Sequence, residues 1–134
     1  MKYIEIIKKC EVDKIELLVN DVEEALVAIH KIAQEEDIRS YIVLVLMINY
    51  CKDKMQNFVA ELSNFAAFIS LTFFNYIEGM ISLSYIHQKE AITYAPDNYE
   101  YKRIFFEIYC NHPDVDHDTV FESTILKDEK IIGR

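Results

Sequence analysis

Glycine and proline are almost missing from this chain, with two of each in 134 residues. Average usage is about 7% for Gly and about 5% for Pro. So few glycines leave little backbone able to take positive φ at low cost. Folds made of many short strands depend on such turns, whereas bundles of long helices do not. A phosphate cradle of successive backbone amides is equally hard to build from Gly79 and Gly133 alone.

Positive charge is the second shortage. The 14 Lys and Arg face 23 Asp and Glu, for a net charge of −9. Such a surface repels nucleic-acid phosphates and anionic lipid. Lys8-Lys9, Lys52 with Lys54, and Lys102-Arg103 are small basic groups flanked by acids, which is no nucleic-acid footprint. Neither direct nucleic-acid binding nor a membrane partner is expected.

Long apolar runs are also lacking. The longest uncharged stretch, between Glu61 and Glu78, includes Ser63, Asn64, Ser70, Thr72 and Asn75. A membrane span needs about 20 mainly apolar residues. Charge interrupts Met1 to Lys9 too early for a secretory h-region, so a cytoplasmic protein is expected. Cys10, Cys51 and Cys110 are widely separated, with no Cys-x-x-Cys pair. They read as reduced, mostly buried thiols rather than a zinc or redox motif. No His-Glu-x-x-His and no Gly-x-Ser-x-Gly occurs. Cofactors and a catalytic set are therefore not expected.

What the chain does have is apolar periodicity. Hydrophobic residues make up 51%, enough to fold without a metal or disulfide staple. Ile15, Leu18, Val19, Val22, Leu26, Ile29 and Ala33 recur at steps of three and four, the spacing of one helix face. They form one long helix or two that break at Asn20-Asp21. Met55, Phe58, Val59, Leu62, Phe65, Ala66 and Ile69 predict another helix, opened by Asp53. Tyr101, Ile104, Phe105, Ile108 and Tyr109 predict a third, ended by Asn111-His112-Pro113. Asp13 with Glu16, Asp21 with Glu24, and Asp97 with Glu100 all have the spacing of a capping box. Asp37 is a further candidate cap.

Two stretches are ambiguous. Tyr41 to Tyr50 fits a buried strand or a buried helix, and the helix is favoured because no Gly or Pro bounds it. Phe73 to Ala95 also reads as helix, with a hairpin around residues 70–95 as the alternative, turning at Glu78-Gly79. A last short helix is expected from Pro113 or Asp114 towards Leu126. Residues 127–134 read as a final strand or a frayed tail. The expected fold is a mainly α, single-domain irregular helical bundle of about five to seven helices over residues 1–134, with α+β as the alternative. Ala91 to Asn98 resembles the end of a tetratricopeptide repeat, but no second copy follows at a fixed period.

The densest chemistry lies at His112, Asp114, Asp116, His117, Asp118 and Glu122. A calcium loop starting at Asp114 fails, because Thr119 stands where Gly is needed and Ile125 where a bidentate Glu is needed. Asp114, Asp118 and Glu122 at helical spacing suggest a looser divalent site; acids favouring the positive end of a helix dipole are the simpler explanation, and no metal is assigned. His30 reads as a core-boundary residue and His87 as an exposed one. Phe58, Phe65, Phe68, Phe73, Phe74, Tyr76 and Tyr85 read as core packing before a ligand pocket.

These observations lead to the expectation of a small acidic, non-enzymatic protein that docks on a basic protein and blocks it, such as a toxin or nuclease. Immunity proteins, antitoxins and anti-defence proteins have this size and charge. The candidate contact residues are Glu35, Glu36 and Asp37, and Asp114, Asp116 and Asp118. The alternatives are a small metal-dependent hydrolase using the His112 to Glu122 cluster, and a homo-oligomeric scaffold.

Overall fold

A computed structural model of the protein describes residues 2–110, 112–113 and 115–127. Among these residues there are eight α-helices and no strand. The chain is mainly α, as its poverty in turn residues requires.

The helices are α1 (Lys2–Lys9), α2 (Ile15–Val19), α3 (Val22–Gln34), α4 (Arg39–Lys54), α5 (Val59–Phe73), α6 (Met80–Tyr94), α7 (Tyr99–Tyr109) and α8 (Thr119–Leu126). Single 3-10 turns at Val12–Lys14 and Gln56–Phe58 lead into α2 and α5. The count reaches eight because α1 stands apart and the chain breaks at Asn20-Asp21, leaving α2 separate from α3.

Glycine scarcity leaves a mark on two helix ends. Beyond α1, Cys10 takes a φ of 49°, with Cys10 N–H bonded to Ile7 O and Glu11 N–H to Ile6 O. Beyond α3, Glu36 takes a φ of 58°, with Glu36 N–H bonded to Ala33 O and Asp37 N–H to Ile32 O. Both are Schellman closures, in which the left-handed position is usually Gly. A side chain there costs about 1–2 kcal/mol. Gly79 is used where φ reaches 89°, just ahead of α6.

Residues 41–50 are helical within α4, which buries Ser40, Val43, Leu44, Met47, Ile48 and Cys51. Residues 80–94 are helical too, so the hairpin alternative does not form. The N-terminal core is mainly aliphatic: Ile7, Leu18, Ile29, Ile32, Leu44, Met47, Leu62 and Ile69 of α1 to α5 are enclosed, with Tyr3, Phe74 and Met80 completing the cluster. A second cluster holds Tyr85, Ile92, Phe105, Tyr109, Val115 and Ile125, from α6, α7, α8 and the loop before α8.

The helix α6 joins the two regions. It packs along α5, whose stripe of small residues, Ala60, Ser63, Ala67 and Ser70, is buried. Small side chains let the two backbones approach closely. Ser84 Oγ reaches Ala67 O at 3.0 Å and Ser63 Oγ reaches Glu90 Oε1 at 3.3 Å, which makes the pair antiparallel. On its other flank α6 packs on α7, where Gln88 Nε2 donates to Tyr101 O at 3.0 Å. The helices α5 and α7 each pack more closely on α6 than on one another.

Several expected caps are displaced. Asn98, not Asp97, caps α7 by accepting from Tyr101 N–H at 3.1 Å. Asp53 lies in the last turn of α4 and opens nothing. Asp21 sits at the start of α3, but its carboxylate accepts from the Tyr3 hydroxyl at 2.8 Å, tying α1 to that turn. Asp13 lies inside a 3-10 turn and makes no side-chain cap. The last helix starts at Thr119, later than expected, because Asp118 caps it through Phe121 N–H at 3.0 Å. Asn111, Asp114 and residues 128–134 lie outside the described residues, and with them most of the expected tail.

Candidate functional site

The cluster between His112 and Glu122 folds inward. Glu122, on the first turn of α8, is only 9% exposed. It accepts from the Tyr85 hydroxyl at 2.8 Å and from His117 Nδ1. The Tyr85 oxygen itself accepts from Asp118 N–H at 2.8 Å. The second ring nitrogen of His117 lies 2.6 Å from His112 O. A carbonyl and a carboxylate oxygen both accept, so holding both contacts requires the doubly protonated ring. The Glu122 carboxylate, and after it the His112 carbonyl, raises the His117 pKa.

Asp118 is equally occupied. It pairs with Lys89 of α6, and that contact first, then Phe121 N–H, lowers its pKa. Asp118 and Glu122 therefore do not present one ligand face: the first closes outward on Lys89 and the second turns into the core. Among the described residues, no three His, Cys, Asp or Glu side chains converge as a metal site. Asp116 is exposed, and its charge adds to the raised pKa of His117.

Burial raises the Tyr85 phenol to about 12. Burial first, and then the charge of Glu122, raises the Cys110 thiol to about 11. Burial likewise raises Cys51. Neither thiol is activated towards the thiolate that a Cys nucleophile requires. Through Tyr85–Glu122 and Lys89–Asp118 the cluster holds α8 and the loop before it onto α6.

The other acidic candidates are divided. Asp37 is clasped by Arg39, whose Nε and Nη2 donate to it at 2.9 and 2.6 Å. That contact lowers the Asp37 pKa. Glu35 meets Lys8 at 3.4 Å on the surface. Glu36 is exposed and makes no ion pair among the described residues. The structure does not gather Glu35 to Asp37 into one bare acidic patch.

Most cations are spent in the same way. Lys9 pairs with Glu5, Lys14 with Glu11, Lys52 with Glu90 and Arg103 with Glu100. Lys54 lies over the Tyr50 ring and Lys102 over Tyr99. The uncompensated carboxylates stand elsewhere. Asp13, Glu16, Glu23, Glu24, Glu61, Glu107 and Asp116 are exposed, without an ion pair among the described residues.

The burial of His87, the exposure of Phe68 and Tyr76, and a groove beside α5 escaped the sequence reading. His87 is half-buried rather than exposed, with Nε2 at 2.7 Å from the Tyr41 hydroxyl and Nδ1 buried without a partner. Burial lowers its pKa. His30 is a boundary residue, as expected, edged by Phe65, Phe68 and Phe73. The aromatic set splits: Phe74 and Tyr85 are core, whereas Phe68 is 43% and Tyr76 63% exposed. Phe65 and Phe68 border an open groove of about 490 Å³ between α5 and α7. No helix among the described residues is long and apolar enough to cross a membrane. Comparison with known proteins finds no matching family model, curated protein or solved structure.

Proposed function

We propose that this chain is a non-enzymatic binding protein that docks its acidic surface on a basic protein and blocks it, in the manner of an immunity protein, antitoxin or anti-defence protein. One observation carries the reading. Most of the described cations are tied to carboxylates of the same chain or to aromatic rings, with Lys31 and Lys127 the exceptions, while Asp13, Glu16, Glu23, Glu24, Glu36, Glu61 and Glu107 face solvent without an ion pair among the described residues. A partner with a nucleic-acid-binding face would meet this surface with the complementary sign, which speeds encounter and excludes wrong partners. The internal pairing of His117, Asp118 and Glu122 supports this reading over the hydrolase.

The role of the first-named candidates changes accordingly. Glu36 and Asp116 remain as contacts, and Glu35 contributes through an exposed pair. Asp37 and Asp118 have internal partners.

The test starts from the full chain used as bait with chemical cross-linking, followed by purification of the recovered protein. The expected partner is basic, with a pI above about 9. Excess heparin, a polyanion competing for the same face, should release it, and equimolar addition of the acidic chain should lower the partner's activity. A partner that stays bound in excess heparin and at about 0.5 M salt, where exposed charges are screened, contradicts the reading.

A further inference from the structure

A groove lined mainly by apolar side chains opens between α5 and α7. Phe65, Phe68 and Leu71 form its α5 wall, Ile104 and Ile108 its α7 wall, and Gln88 of α6 lies at its floor. It exists because α5 and α7 both lean on α6 more closely than on each other. Its size, about 490 Å³, is that of sites which accept a few large apolar side chains or a small ligand.

Charge at the rim distinguishes these occupants. Successive helix residues are about 100° apart. On α5, Glu61 precedes Phe65 by four positions and Phe68 by seven, so it continues the same stripe. On α7, Glu100 precedes Ile104 by four and Glu107 precedes Ile108 by one, which puts both on the flank beyond the groove wall. Glu61 and Glu107 are exposed without an ion pair among the described residues. Arg103 is held by Glu100, and Lys102 projects from the opposite flank of α7, over Tyr99. Side chains of α5 and α7 line the same opening, so one ligand can touch both walls.

We propose that this groove receives a cationic amphipathic helix of the partner, with its apolar stripe against Phe65, Phe68, Leu71, Ile104 and Ile108 and its Lys or Arg side chains against Glu61, Glu100 and Glu107. This inference rests on the acidic-binding reading and adds the place and the shape of the ligand. Helices in grooves are recognised through anchors at i, i+3, i+4 and i+7, spacings that suit an apolar trough. A second copy of this chain fits less well, since each copy carries −9 and would set acidic rim against acidic rim.

The probe is a fluorescein-labelled Leu/Lys peptide of about five helical turns, with Leu at i, i+3, i+4 and i+7, added to the full chain and followed by fluorescence anisotropy. Its controls are a Leu/Glu peptide of the same pattern and a scrambled Leu/Lys peptide. Saturable binding is expected for the patterned Leu/Lys peptide only. Glu61→Lys with Glu107→Lys should weaken it by about tenfold or more, and Phe68→Ser comparably, because central anchors dominate such interfaces. Glu23→Lys with Glu24→Lys makes the same change in net charge on α3 and should alter affinity less than about twofold. All of these positions are exposed, and circular dichroism confirms that each variant is folded.

Equal losses in both charge-reversal pairs would overturn the groove assignment while leaving the acidic-binding reading intact. Binding of the Leu/Glu peptide as tightly as Leu/Lys would overturn the cationic ligand, and absence of peptide binding would overturn the groove site. A concentration-dependent dimer that excludes the peptide would assign the groove to a second copy instead. The acidic-binding reading itself fails separately, in the heparin release of the natural partner.

Discussion

The two cores of this protein are built on different principles. The N-terminal core joins α1 to α5 through aliphatic side chains such as Ile29, Leu44, Met47 and Leu62. The C-terminal cluster sets aromatic rings around a buried polar network: Tyr85 packs on Phe105 and Tyr109, and its hydroxyl connects Glu122 to Asp118 N–H. Aliphatic packing is tolerant of direction, whereas a buried network stabilises only when every member is satisfied. The first region therefore acts as the scaffold, and the second depends on a few specific contacts. The groove with acidic rims lies where they meet.

The largest effects should separate the two regions. Leu44→Ala, at a fully buried site, should cost about 2–5 kcal/mol and Phe105→Ala about 3–5 kcal/mol. The two losses differ in reach. Leu44→Ala should lower protection across α1 to α5, whereas Phe105→Ala should release α7 and α8 while amides of α3 and α4 stay protected. Native-state hydrogen exchange reads the difference. Equal loss of protection everywhere in both variants would show a single cooperative unit and break the comparison.

Tyr85→Phe sharpens it. The change keeps the ring and removes the hydroxyl shared by Glu122 and Asp118 N–H, so urea unfolding should register a loss of about 1–3 kcal/mol, as for a buried group left unsatisfied. Tyr3→Phe removes a hydroxyl that donates to the partly buried Asp21 and should cost less.

Two histidines then give the regions opposite pH responses. The His117 pKa is raised above 6.5 by Glu122. Its tie is complete below about 6.5 and is lost as pH rises through the raised value. The His87 pKa is lowered from 6.5 by burial between α4 and α6. The unfolded chain therefore binds that proton first, and stability falls as pH drops below about 6.5. The charges on Asp37 and Asp118, both held low, act only near and below the ordinary 3.8. Thermal melting between pH 5 and 8 should show His117→Asn flattening the alkaline loss and His87→Asn flattening the acid loss. Identical slopes in both variants would contradict the opposite signs.

The smallest expected change is a gain. Glu36→Gly relieves the left-handed position that closes α3 and should stabilise by about 1 kcal/mol, visible as a raised melting temperature. Glu35→Gly, one residue earlier in an ordinary conformation, should give no such gain.

The helices themselves were legible because apolar steps of three and four persist over α3, α5 and α7. Their caps were not, since neighbouring residues such as Asp97 and Asn98 are both good caps and only the path of the chain selects one. The acidic cluster near the C-terminus was visible as composition. Its meaning was hidden, because the partners that occupy it, Tyr85 and Lys89, come from α6, 37 and 29 positions away from Glu122 and Asp118. His87 was misplaced for the same reason: Tyr41 lies 46 positions before it. The groove has no sequence signature at all. Phe68 and Phe74 are the same residue type, yet Phe68 lines the open groove and Phe74 is enclosed in the N-terminal core.

The functional claim stands most directly on association kinetics with the cross-linked and purified partner. Stopped-flow association measured from about 0.01 M to about 0.5 M salt should slow by an order of magnitude or more, with the dissociation rate changing less, because steering charges are screened beyond about 8–10 Å at physiological salt. Glu61→Lys with Glu107→Lys should slow association further at low salt, and the wild-type and variant rates should converge at high salt. An association rate that is independent of salt and unchanged by charge reversal would contradict the account, and would leave the surplus of carboxylates as a means of keeping the chain in solution.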